Sequence, residues 1–156
     1  MIEITKEKIA SLSPQYEGDD ILKFIPQRKP FVMVSSFYQY DDNSVLSGFD
    51  IEENNPLVKS GIFTEAGLTE NMAQTAALFA GSTAQAQGAA APVGFIASIK
   101  DLQIVKRPKV GQHIYTTIEI VNEVMNVQIA RAHVFDENLE TWAKSEIRIF
   151  LQSTES

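Results

Sequence analysis

"GLTENMAQTAALFAG", residues 67–81, decides the fold. Glu70, Asn71 and Gln74 stand there among Leu68, Met72, Ala73, Ala76 and Phe79, the spacing of a helix with an apolar face. At about 100° per residue, Glu70, Gln74, Ala77 and Gly81 share one stripe, with Leu68, Met72, Ala76 and Phe79 opposite. Thr64 is a good N-cap and Glu65 suits a first turn, so the helix is expected over 64–86. Ten alanines lie between residues 66 and 91. Side chains that small let a sheet wrap closely round a helix. A carboxylate is costly to bury, but a helix N-terminus favours negative charge and offers free N–H groups. Read alone, Glu70 is either an exposed first-turn acid or a carboxylate turned into a pocket.

Strand signals flank the helix, and the last three segments alternate with period two. "FVMVSSFYQY" (31–40) and "VLSGFDI" (45–51) read as strands joined by the turn "DDNS". Ahead of them, "DDILKFI" is a short amphipathic turn that Pro26 stops. "GAAAPVG" breaks the chain after the helix. "GFIASIKDLQIV" (94–105), "HIYTTIEIV", "NVQIARAHVF" and "TWAKSEIRIFL" then supply further strands. In the last of these, Ala143, Ser145, Ile147, Ile149 and Leu151 share a core-facing side. The fold class is therefore α+β: one long helix against one antiparallel sheet of five or six strands, in a single domain over 1–156.

The 156 residues carry a net charge of −7, which argues against nucleic-acid binding through bulk electrostatics. There is no cysteine, and no stretch approaches the roughly 20 apolar residues of a membrane span. The start, "MIEITKEKIASL", lacks the apolar core of a signal peptide, so a cytoplasmic protein is expected. Nothing suggests a metal or other cofactor. Lys100, Lys106, Arg107 and Lys109 fall close together, and Arg28 with Lys29 forms a second basic pair. Either they are a solvated strand end and turn, or they dock an acidic partner. Edge strands left by one small sheet point to a dimer or higher oligomer.

Three motifs resemble the hotdog-fold 3-hydroxyacyl-acyl carrier protein dehydratases. "IPQRKPFVMV" is similar to that family's opening strand, "ENMAQTAA" to its central-helix signature, and "GFIASIKDLQIVKRPKVGQ" to the following strand with its Lys-Arg-Pro turn. The resemblance implies a hotdog fold and makes Glu70 the catalytic acid. Gln74, Phe63, Pro56 and Phe95 are its candidate substrate-binding companions. Arg28, Lys100, Lys106, Arg107 and Lys109 become the candidate dock for acyl carrier protein. The family's acid works with a histidine from an upstream Gly-His-Phe-Pro-Gly loop, commonly across a dimer interface. Here Pro56 occupies that position, and no histidine precedes His113. The family's oxyanion glycine aligns at or near Glu65, with Gly67 reached by a two-residue gap. His113 and His133 match no functional family position and read as strand-packing residues.

Half of the dehydration machinery is thus expected. The helix motif also looks like divergent dehydratase-like proteins of aryl polyene pathways, which extend chains on a dedicated carrier protein. The leading expectation is a subunit weakly active or inactive alone, paired with a catalytically complete homologue. The alternatives are a hotdog acyl thioesterase using Glu70 and a non-enzymatic acyl-binding module.

Overall fold

The computed structural model describes residues 2–89 and 93–152, with backbone only for residue 40 and residues 93–95. A helix α1 (Lys6–Ala10) leads into β1 (Tyr16–Glu17) and a 3-10 segment (Gly18–Phe24). Strands β2 (Ser36–Tyr40) and β3 (Ser44–Asp50) follow, then a small hairpin of β4 (Val58–Lys59) and β5 (Ile62–Phe63). The long helix α2 (Glu65–Ala86) comes next, and β6 (Val93–Ile104), β7 (His113–Val124), β8 (Val127–Phe135) and β9 (Thr141–Gln152) complete the chain. The large strands form one antiparallel sheet in the order β1-β2-β3-β7-β8-β9-β6, curled round α2 in the hotdog arrangement. The sheet has seven strands rather than five or six. The extra strand, β1, is two residues long and too short to show a period.

Both ends of α2 are set by local chemistry. The Thr64 hydroxyl accepts the Gly67 N–H at 3.2 Å, as a capping residue should. At the other end Gly88 adopts a left-handed φ of 71°, and Ala89 N–H reaches the Ala84 carbonyl at 2.8 Å. That is a Schellman stop, for which glycine is the natural residue. Leu68, Met72 and Leu78 are fully buried, and Ala76 and Phe79 nearly so. At Gly81 the helix rests on the Phe24 carbonyl so closely that a Cβ would overlap it.

The polar residues that punctuate the helix are buried and paired. Asn71 Nδ2 donates to the Met33 carbonyl at 2.7 Å, and its Oδ1 accepts from the Thr116 hydroxyl at 2.7 Å. Gln74 Oε1 accepts the Met33 N–H at 2.6 Å, and its Nε2 donates to the Phe31 carbonyl at 2.8 Å. Thr75 donates to the Asn71 carbonyl and accepts from Ser47. This explains why β2 begins at Ser36 and not at 31. The backbone of 31–33 is bonded to the helix, so it cannot also join a strand ladder.

The sheet has two differently covered faces. Ile114, Thr116 and Ile118 of β7, with Ala130, Ala132 and Val134 of β8, point at α2. On the reverse side Tyr38, Leu46 and Phe135 make a second cluster with Ile2 and Ile9, so the N-terminal arm covers it. Among the described residues the outer edge of β6 carries no partner strand, and Ile96 and Leu102 on it are each 41% exposed. No described helix is long and apolar enough to cross a membrane.

Candidate functional site

Between α2 and the far half of the sheet lies a cleft of about 310 Å³. Ala73, Ala76, Ala77 and Ala80 form its helix wall, and Ile96, Ile149 and Leu151 face them. These four alanines fall within about 100° of helix surface, a lane of methyl groups. Ala76 is buried in the core with Leu68, Met72 and Phe79 and also borders the cleft. Small residues here leave volume that a leucine or phenylalanine would fill. Such a slot fits an extended apolar chain.

Glu70 closes the N-terminal end of this lane, half-buried. Its Oε1 accepts from Gln74 Nε2 at 3.0 Å. Gln74 is itself fully buried, with its amide orientation fixed by the Met33 N–H on one side and the Phe31 carbonyl on the other. The carboxylate is thus aimed by a rigid donor, while its second oxygen has no hydrogen-bonding partner among the described residues. The structure brings Glu70 and Gln74 together and gives Gln74 an orienting place behind the acid.

The other proposed substrate contacts lie elsewhere. Phe63 is fully buried in the core, 5.4 Å from the Phe49 ring, and packs on Gly67 at the first turn of α2. Pro56 sits exposed in the turn before β4. The side chain of Phe95 lies outside the described residues; its backbone pairs with Phe150. Gly67 N–H is engaged by the Thr64 cap.

Neither histidine can serve Glu70. On β7 the residues facing the helix are even-numbered, so His113 points to the reverse side. There its Nδ1 lies 2.7 Å from Asp50 and its Nε2 3.1 Å from the Tyr38 hydroxyl. Burial pushes the Tyr38 phenol up to about 12. The phenol therefore stays protonated and can donate to the imidazole. On β8 the helix-facing residues are also even-numbered, which turns His133 outward to Thr141 at 2.8 Å. Burial, then Lys144, lowers its pKa. Among the described residues no histidine faces α2.

Arg107 lies 3.7 Å from Glu65 at the helix start, and Lys106 lies 3.2 Å from Glu140. Lys100 and Lys109 have no ion pair among the described residues. Arg28 uses its guanidinium to hold the Ile25 and Gln27 carbonyls at 2.7 and 2.8 Å, beside the cleft. Sequence reasoning missed Gln27, Gln128 and the alanine lane as lining. Gln128 shares the even-numbered side of β8 with Ala130, Ala132 and Val134, and a polar residue on that core face was the available signal.

Comparison with solved structures places the fold among hotdog proteins. The dehydratase heterocomplex ApeI:P from Xenorhabdus doucetiae superposes with a TM-score of 0.79 at 11% identity, covering 86% of this chain and 91% of that one. The smu.793 protein of Streptococcus mutans UA159 bound to acetyl CoA gives 0.61 at 12%, covering 77% and 90%. A hypothetical thioesterase from Streptococcus pneumoniae TIGR4 with coenzyme A gives 0.63 at 14%, covering 78% and 90%. At these identities the likeness establishes the fold alone. No protein of curated function matches the chain. The family model ApeP-like, described as ApeP dehydratase, matches residues 19–154. That match runs through α2 and every strand of the large sheet except β1, and the chain belongs to the ApeP-like dehydratase family.

Proposed function

We propose that this chain is the acid-bearing, histidine-lacking half of a dehydratase acting on 3-hydroxyacyl thioesters of acyl carrier protein. The observation that carries the reading is Glu70, oriented by Gln74 at the end of an alanine-lined cleft with no histidine on that side of the sheet. Dehydration breaks the C3–O bond and a C2–H bond and forms the C2=C3 double bond. Glu70 supplies the proton with which the hydroxyl leaves as water. The C2 proton goes to a base that a homologous subunit provides.

The free edge of β6 is where such a subunit would continue the sheet, with Ile96 and Leu102 buried in the process. The likeness to a dehydratase heterocomplex supports this pairing. Light scattering tests it. The chain should run as a dimer, homo- or heteromeric, and a Gly-His-Phe-bearing homologue should enter the complex and bring dehydration with it. A 17 kDa species in both conditions, with no gain of activity, would count against the pairing.

Carrier-protein docking by Arg28, Lys100, Lys106, Arg107 and Lys109 belongs to the same reading. Lys106 and Arg107 are tied up with Glu140 and Glu65, but both pairs are exposed and weak in water. Reversing Lys106 and Arg107 to glutamate should slow association with an acidic carrier protein at low salt. The difference should shrink at physiological ionic strength, where screening sets in beyond about 8 Å. Unchanged association at low salt would remove this surface from the account.

A further inference from the structure

The reverse side of the sheet is covered over only part of its width. The N-terminal arm packs on Tyr38, Leu46 and Phe135, while Val127, Ile129 and Phe150 belong to neither apolar cluster of the described residues. Across this open part runs one row of register partners: Glu119 on β7, Arg131 on β8, Glu146 on β9 and Lys100 on β6. Register partners share a face, so the row reads negative, positive, negative, positive over four neighbouring strands. Opposite charges placed side by side on a sheet ordinarily close on each other. Here Glu119, Arg131 and Lys100 enter no ion pair among the described residues, and Glu146 reaches only Arg148, at 3.7 Å.

Glu119 also lines a cavity of about 290 Å³. Ile2 and Ile4 of the arm form one wall, and Thr117, Arg131 and His133 complete the lining on the sheet. Burial, then Lys144, lowers the His133 pKa, so the imidazole adds no charge there near neutral pH. A slot with apolar walls and a carboxylate suits a lysine, its stem along the isoleucines and its ammonium on Glu119.

We propose that this face packs against the same face of a second copy of the chain, about a two-fold axis that runs parallel to the strands between β8 and β9. That axis exchanges β8 with β9 and β7 with β6. Arg131 meets Glu146 of the second copy, and Glu119 meets its Lys100, which enters the cavity beside Ile2 and Ile4. Each contact is made twice, as two-fold symmetry requires. Val127 and Phe150 are register partners within one copy, so each faces the other across the axis, and Ile129 lies under the stem of the opposite Arg148. Sheets packed face to face lie about 10 Å apart, a gap that two long side chains span. A uniformly acidic or basic partner would match only half of the row. The reversed alternation is what a second copy presents. Lys100 is then covered, which leaves carrier-protein docking to Arg28, Lys106, Arg107 and Lys109. The contact is separate from the β6 edge and doubles whatever species that edge forms.

Sedimentation velocity of the full chain at micromolar concentration and low salt tests it. Arg131→Glu and Glu146→Arg each set like charges face to face at both repeats of the contact, which suppresses association. Each variant, folded by circular dichroism, should sediment at half the wild-type mass. An equal mixture of the two should recover the wild-type mass, because every facing pair is then of opposite charge. Glu119→Lys and Lys100→Glu form a second reciprocal pair, used if Glu146→Arg does not fold. Halving relative to wild type is read whether or not the β6 edge is paired, so failure of that pairing is seen separately. Single variants that keep the wild-type mass, a mixture that does not recover it, or a wild type that sediments as a monomer would overturn the back-to-back contact.

Discussion

Glu70→Gln should lower dehydration by the assembled complex by about 10²–10⁴-fold, the range that one positioned acid or base contributes. The substitution is conservative where it stands. Gln74 Nε2 now donates to Glu70 Oε1 at 3.0 Å and would find the amide oxygen of a glutamine in the same place. The backbone bonds that Gln74 makes to Phe31 and Met33 are untouched. Shape, cleft volume and local hydrogen bonding are therefore kept, and the ability to transfer a proton is lost. The rate of water loss from a 3-hydroxyacyl carrier-protein thioester measures this. A fall below about threefold would mean that Glu70 is only a first-turn acid.

Phe79→Ala should cost about 3–5 kcal/mol, the range for truncating a buried phenylalanine. Phe79 is 6% exposed and packs in the main core, on the helix surface that the sheet wraps. A domain of this kind has only about 5–15 kcal/mol of stability in total, so the loss is a large fraction of it. At about 2–4 °C per kcal/mol for this chain length, the melting temperature should fall by about 6–20 °C. Urea unfolding followed by circular dichroism reads the change. A cost under 1 kcal/mol would mean that this face of α2 does not hold the core.

The helix was legible in sequence because its signals are local. The Thr64 cap, the glycine after Ala86 and the apolar spacing all act within a few residues. The last three strands were legible for the same reason, since each alternates over many residues. What the sequence hid was long-range. Residues 31–34 are a continuous apolar run of the kind a buried strand carries, but Asn71 and Gln74 claim the backbone of Phe31 and Met33 from a helix some forty positions away. Glu70 and Gln74 looked like a pair facing a ligand, and only the placement of Met33 and Phe31 shows Gln74 standing behind the acid. Phe63 read as a pocket residue and is core, because Gly67 gives it a seat. The missing histidine was plain from counting alone. That His113 and His133 both turn away follows from strand parity once α2 is known to face the even-numbered residues.

On the proposed reading, this chain holds the acid and one wall of an acyl site without the base. Mass spectrometry of the isolated protein incubated with a 3-hydroxyacyl carrier-protein thioester tests it most directly. The thioester should stay intact, with neither loss of water nor release of acid. Efficient dehydration by the chain alone would mean that a base exists within it. Release of free acid that Glu70→Gln abolishes would make it a thioesterase instead.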